Sequence, residues 1–281
     1  MTVTPAAAGF NIGQVITRLL GVVSRNFVLL LLLALLLVGL PGAMLAYAQI
    51  SILGDMLSAQ NASDPNAALA ALFSPLRIGL GIAGALIGVV GNAALQGAVI
   101  HASVSDLSGK RATFGECLAT GFRFFLPLFC IGLIVAICCF FGYLIFIVPG
   151  VLLGLAWCMA APAEVVERTG IFAAFSRSAD LTRNNRAAIF ALIIAFFVAV
   201  FIVQTVLNAV GQIGIGFGGA AVLPGGGAPD LRNFVAVQSV MAVVLQVAVS
   251  SLASAGLAAI YFELRQSKEG VGADQLAAVF D

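Results

Sequence analysis

A chain of 281 residues that is 62% hydrophobic and only 9% charged cannot cover a globular surface with polar groups, since a soluble domain carries about 25% charged residues. Its solvent over most of its length must be lipid. The net charge of +1 and the lack of any Lys/Arg-rich run exclude nucleic acid as a partner.

The N-terminus does not read as a cleavable signal peptide. Its first basic residue is Arg18, and the apolar run from Phe27 is longer than the roughly 7–15 residues of a signal core. Residues Phe10–Arg25 instead place Ile12, Val15, Ile16, Leu19, Leu20, Val22 and Val23 on one helical arc, with Asn11, Gln14, Thr17, Arg18, Ser24 and Arg25 opposite. That pattern predicts a helix lying in the membrane interface. A spanning helix needs about 20 apolar residues, and the first such run is the Leu-rich Phe27–Ile50. An outer loop at 51–75 follows, with a short helix expected at Asn66–Phe73. The second span covers 76–104.

A second amphipathic segment, Phe114–Phe125, precedes 39 charge-free residues from Phe124 to Pro162. That length suits two spans, expected at 124–148 and 150–165, with the turn at Pro149-Gly150, where Pro blocks helix continuation and Gly permits a bend. Pro162 is expected to end the fourth span. A third amphipathic segment, Ile171–Arg183, turns Ile171, Phe172, Phe175 and Ala179 away from Ser176, Asp180 and Arg183. The fifth span is expected at 187–214, a Gly-rich outer loop at Gly216–Pro229, the sixth span at 233–262 and a short tail at 271–281. The fold class is therefore all-α, a polytopic membrane protein with six transmembrane helices and cytoplasmic interfacial helices, forming one integral membrane domain over 1–270. Interfacial helix, span, span recurs three times, which suits a threefold internal repeat. Linkers of multi-pass proteins also tend to be amphipathic, and the identity between the copies does not decide between the two.

Eleven of the thirteen Lys and Arg residues fall in segments on one side of this arrangement, and only Arg77 and Arg232 fall on the other. The positive-inside rule then puts both termini in the cytoplasm. Nine of the twelve acids share that side, Asp55, Asp64 and Asp230 being the exceptions.

Several stretches on this basic side carry a family likeness. They are Asp106-Leu107-x-Gly109-Lys110-Arg111; Pro149-Gly150 with Trp157 and Pro162; Glu167-Arg168-x-Gly170; Ala174-x-x-Arg177-Ser178-x-x-Leu181-Thr182; and Tyr261-x-Glu263-Leu264-Arg265-x-x-Lys268-Glu269-Gly270. Over nearly the whole chain this resembles the glycerophosphoryl diester phosphodiesterase membrane-domain group and its stand-alone bacterial relatives. The resemblance implies a bacterial inner-membrane protein of undefined role. It does not imply phosphodiester hydrolysis, because in that group the catalytic domain is separate and uses a pair of His, and this chain has only His101.

No catalytic constellation is legible: there is no GxSxG, HExxH or DxD pattern. The five cysteines contain no CxxC, so neither a disulfide framework nor a metal set is expected, and no cofactor is expected. A charge at mid-bilayer costs about 2.5–3.5 kcal/mol and usually marks function; none is placed deep in a span here. Polar but uncharged stripes do exist. Asn92 and Gln96 in span two, Gln204, Asn208 and Gln212 in span five, and Gln246, Ser250 and Ser254 in span six recur at helical spacing. They form either a polar groove or helix–helix glue. His101 reads as an interfacial or packing residue, with a titrating switch as the alternative. Glu164, Glu167, Arg168, Arg177, Arg183 and Arg186 cluster below the short fourth span, either as a lipid-headgroup or partner site or as an ion-pair network. The expected role is a non-enzymatic scaffold or modulator acting through membrane lipids or a membrane-protein partner at the cytoplasmic face. The alternative is a permease for a lipid-like or small solute.

Overall fold

The computed structural model describes residues 10–61, 75–220 and 231–270, with side chains described except at 55–61, 76–77, 211–220 and 231–234. The helix expected at Asn66–Phe73, most of the Gly-rich loop and the tail at 271–281 lie outside the described residues. Every regular element described is helical. In chain order they are α1 (Ile12–Arg25), α2 (Phe27–Ala34), a π-helical turn (Leu35–Gly39), α3 (Leu40–Asn61), α4 (Pro75–Leu107), α5 (Phe114–Ile145), α6 (Ile147–Trp157), α7 (Ala160–Glu167), α8 (Ile171–Thr182), α9 (Arg186–Ala220) and α10 (Leu231–Glu269). Six helical stretches among them are long and apolar enough to cross a membrane, at 27–54, 78–107, 114–145, 147–167, 186–210 and 235–269. The chain is a polytopic helical membrane protein.

The first interfacial helix forms as its pattern demands. Asn11 caps α1 by accepting hydrogen bonds from the backbone N–H groups of Gly13 and Gln14, satisfying donors that an uncapped helix leaves open. Val15 and Val22 are buried, while Ile12, Ile16 and Leu20 of the same apolar arc remain exposed. The arc is therefore wider than the protein contact it makes. The second amphipathic segment is not a separate helix. It forms the first three turns of α5, which is started by a capping box between Thr113 and Glu116 and runs unbroken through Pro127 to Ile145. Nothing between Phe114 and Phe124 supplies a stop, and a single Pro inside an apolar helix is tolerated where neighbouring helices compensate.

The turn into the fourth span also sits elsewhere than expected. The break is at Phe146, which is fully extended (φ −156, ψ 148). Pro149 falls in the first turn of α6, where a missing N–H costs nothing. Gly150 is needed for proximity: a Cβ there would stand 2.5 Å from the Tyr143 ring of α5, and one on Gly142 would stand 2.8 Å from the Cα of Gly150. Likewise Pro162 does not end the fourth span but lies in the first turn of α7. Pro162 offers no N–H to the Cys158 carbonyl and its ring crowds that carbonyl, and here, unlike at Pro127, the helix breaks, at Cys158–Met159. Gly216–Ala220, expected to begin a loop, continues α9, since each helical Gly costs only about 1 kcal/mol relative to Ala.

The helices fall into two compact units: residues 1–34, 92–196 and 249–281 form the first, and 35–91 and 197–248 the second. The first unit holds a continuous apolar core, in which Val15 of α1, Ile100 and Val104 of α4, Leu128 and Ile131 of α5, Val165 and Val166 of α7, Leu181 of α8 and Leu264 of α10 are all buried. Trp157 stacks obliquely on Phe175 of α8, with ring centroids 4.8 Å apart. In the second unit, α4 packs its glycines on the helical stretch around Pro41: Gly84 faces the Leu45 side chain, Gly88 the Pro41 ring, and Gly91 the Leu37 backbone carbonyl. Small residues at this spacing let helices approach closely in lipid.

Candidate functional site: a charged clamp and an amide cleft

The break in the fourth span leaves two backbone groups without helical partners, and α8 supplies both. The Ser178 hydroxyl accepts the Met159 N–H at 3.0 Å and donates to the Ala156 carbonyl at 2.7 Å. Thr182 adds a longer contact to the same carbonyl at 3.5 Å. Ser178 and Thr182 are completely buried. Unpaired backbone at such a depth would cost several kcal/mol, so α8 completes the fourth span as well as packing beneath it.

The charged residues around α8 form a clamp. Arg177 Nε lies 2.9 Å from both carboxylate oxygens of Glu167, and its Nη2 pairs with Glu269. Tyr261 donates its hydroxyl to Glu167 at 2.6 Å. Arg265 pairs with Glu269 at 3.0 Å and stands 3.9 Å from Glu167. Burial disfavours the charge on Arg177, but its hydrogen bonds to Glu269 and Glu167 outweigh that, and its pKa is raised above the ordinary arginine value. Lys268 donates to the backbone carbonyls of Asp180 and Arg183 at 2.6 and 2.7 Å, placing a cation on the C-terminal end of α8 where the helix dipole favours it. Glu164 accepts the Gly170 N–H at 2.8 Å and fixes the turn into α8.

A second clamp holds α1. Arg18 pairs with the buried Glu263 at 2.6 Å and hydrogen-bonds Gln266 at 2.5 Å, with its guanidinium 4.9 Å from the Phe262 ring centroid. The Asn11 N–H also reaches Glu263, at 3.3 Å. At the far end of α1, Arg25 lies across Asp106, its Nε 3.1 and 3.2 Å from the two oxygens and its Nη2 at 2.5 Å. This hydrogen bonding raises the Arg25 pKa. The C-terminal turns of α10 thus carry residues bound to α1, α7 and α8 together.

Of the charged cluster read from sequence, the structure joins Glu167 and Arg177 and disperses the rest. Arg168 is the left-handed cap of α7 (φ 53), its guanidinium 6.0 Å from the Phe124 ring centroid. Arg183 caps α8 with its backbone. Arg186 opens α9 with a buried Nε that has no hydrogen-bond partner. Tyr261, Glu263, Arg265 and Glu269, which complete the clamps, stood in the sequence only as part of a family-like motif; their i, i+4 and i, i+2 spacing near the end of a span was the available signal.

The amide stripes converge only in part. In the second unit Gln204 and Asn208 of α9 line a cleft of about 370 Å³, joined by Gln49, Gln238 and Ser239. Gln204 donates to Asn208 at 3.3 Å. The remaining lining is apolar, including Leu207, Val235 and Leu245. Asn92, Gln96 and Ser250 belong to the first unit; Gln246 is exposed and does not line the cleft, and the Gln212 side chain lies outside those described. Gln49, Gln238 and Ser239 were missed. Gln238 lies two helical turns before Gln246, so extending the span-six stripe backwards would have found it. His101 is half-buried near the end of α4. Among the described residues no three His, Cys, Asp or Glu side chains are grouped to hold a metal ion. Compared with protein-family models, curated proteins and solved structures, the chain matches none.

Proposed function

We propose that this chain is a non-enzymatic protein of the bacterial inner membrane whose cytoplasmic face is a rigid platform for lipids or a membrane-protein partner. The observation that carries this reading is the double clamp. Carboxylates that could have served chemistry are each held by a cation, a hydroxyl or a backbone N–H: Glu167 by Arg177 and Tyr261, Glu263 by Arg18, and Glu164 by Gly170. What the clamps hold in place are amphipathic helices with outward apolar side chains, Ile12, Ile16 and Leu20 on α1 and Phe172 on α8, the last 82% exposed. Helices of this kind bury such residues in the acyl boundary or against a partner. The eleven-to-two partition of Lys and Arg supports cytoplasmic termini, and the resemblance to the stand-alone phosphodiesterase membrane-domain group supports an inner-membrane home without hydrolysis.

Purification of the full chain in mild detergent, with mass spectrometry of what accompanies it, tests the platform. A stoichiometric protein or lipid that is lost in an Ile16→Asp, Phe172→Asp variant is the expected result. A chain that purifies alone, and whose deletion leaves lipid composition and membrane assembly unchanged, rules the platform out. A second reading, a permease for a small or lipid-like polar solute, is favoured by one observation only, the amide-lined cleft at Gln204 and Asn208. Solute flux into proteoliposomes is its test.

A further inference from the structure

A second cleft, of about 580 Å³, opens in the first unit where α1 gives way to α2 and faces the segment joining α4 to α5. Its lining is of two kinds, apolar and charged. Phe27, Val28 and Leu32 are the opening residues of the first span, and they are 57, 66 and 50% exposed. Phe114, the first residue of the third span, joins them. Arg25, Asp106 and Arg111 also line it. It therefore joins the apolar start of two spans to charged groups, the layout of a site for an amphiphile.

The three charged groups give the lining a net charge of +1, and they are not equivalent. Arg25 and Asp106 satisfy one another, with both carboxylate oxygens engaged. Arg111 is exposed and has no carboxylate or other hydrogen-bonding partner among the described residues. A free guanidinium beside an apolar wall presents a fork of donors that matches a phosphate. An ammonium group finds no welcome here, since the one carboxylate in the cleft is already held by Arg25.

We propose that this cleft binds an anionic phospholipid, its phosphate on the Arg111 guanidinium and its acyl chains along Phe27, Val28 and Leu32. The site rests on the platform reading above and names the lipid class for one part of it. The apolar floor is what selects a lipid over a free phosphate, which needs only the arginine.

The test is native mass spectrometry of the full chain in detergent, exchanged with either phosphatidylglycerol or phosphatidylcholine. Both lipids offer Arg111 a phosphate, but the choline of phosphatidylcholine also brings a cation beside a lining of net charge +1, so wild type is expected to retain phosphatidylglycerol about tenfold better, and Arg111→Gln to lose the preference while Arg111→Lys keeps part of it. Arg111 is exposed and makes no bond in the fold, and an unchanged melting temperature of Arg111→Gln verifies that the loss is local. Equal retention of the two lipids by wild type, or an unaltered preference in Arg111→Gln, overturns the site. So does binding of inorganic phosphate by wild type but not Arg111→Gln with no lipid preference, which would make the ligand a free anion. These outcomes are read at Arg111 alone, whereas the platform stands or falls on Ile16 and Phe172.

Discussion

The Cα of Gly91 lies so close to the backbone of Leu37 that a Cβ built on it would stand 1.9 Å from the Leu37 carbonyl oxygen and 3.0 Å from its carbon. The reason begins four residues on, at Pro41. Pro has no N–H, so the Leu37 carbonyl loses its α-helical donor, and the helix widens into the π turn Leu35–Gly39 just there. The Gly91 Cα–H that replaces a side chain points at this oxygen as a weak donor. Gly91→Ala must push backbone from backbone, and should destabilise the protein by about 3 kcal/mol or more, the upper end for overpacking. Gly79→Ala, on the same helix with nothing within 4 Å, should be neutral or stabilise by up to about 1 kcal/mol. Unfolding midpoints of the two variants in mild detergent check the contrast.

Ser178 should matter more than its size suggests. Removing its hydroxyl leaves the Met159 N–H unpaired and the Ala156 carbonyl with only the 3.5 Å contact to Thr182. At a completely buried position each such group costs about 1–3 kcal/mol, so Ser178→Ala should lose about 2 kcal/mol and Thr182→Val less. Hydrogen exchange at the Met159 amide gives the local readout: it should quicken in Ser178→Ala and stay slow in Thr182→Val.

The same residues show what sequence could and could not convey. Each span needs about 20 apolar residues whatever its partners do, so six of them were legible from charge-free runs such as Phe27–Ile50. Where a helix stops was not, because Pro149 and Pro162 read as terminators, yet each lies in a first turn and leaves the break to Phe146 and Met159. The clamps were legible as residue types but not as pairs. Arg18 and Glu263 come from opposite ends of the chain, and only the packing of α1 on α10 unites them. The amide stripes were visible by period, but period cannot say which stripes share a cleft: Gln204 and Gln238 line the same one, while Asn92 lies in the other unit.

The two ion pairs of α1 should behave oppositely on mutation. Glu263 is 6% exposed at the side chain and Arg18 21%, so Glu263→Gln strands a mostly buried cation and should cost about 3–5 kcal/mol. Glu263→Gln with Arg18→Met should recover much of that loss, since a buried pair exchanged for apolar contact is often neutral. Arg25 is 59% exposed, and Arg25→Gln should cost under about 1 kcal/mol despite its three short contacts. Its effect should shrink further at about 1 M salt, where screening acts within roughly 3 Å. Unfolding curves of the three variants and wild type at low and high salt separate the cases.

The amide cleft offers the sharpest division between a platform and a permease, because the two differ in the size of one effect. The Gln204–Asn208 hydrogen bond joins neighbouring turns of a single helix at 3.3 Å. Amide bonds in a membrane average about 0.6 kcal/mol, and one within a helix face holds no second helix in place. Gln204→Leu and Asn208→Leu should therefore each shift stability by less than about 1 kcal/mol. If the cleft passes a polar solute, the same substitutions remove the donors and acceptors that replace its water, and flux into proteoliposomes should fall by at least about tenfold, the equivalent of one lost hydrogen bond to a desolvated group at about 1.4 kcal/mol. A small stability change with unchanged flux assigns the stripe to packing, and a small stability change with lost flux assigns it to transport.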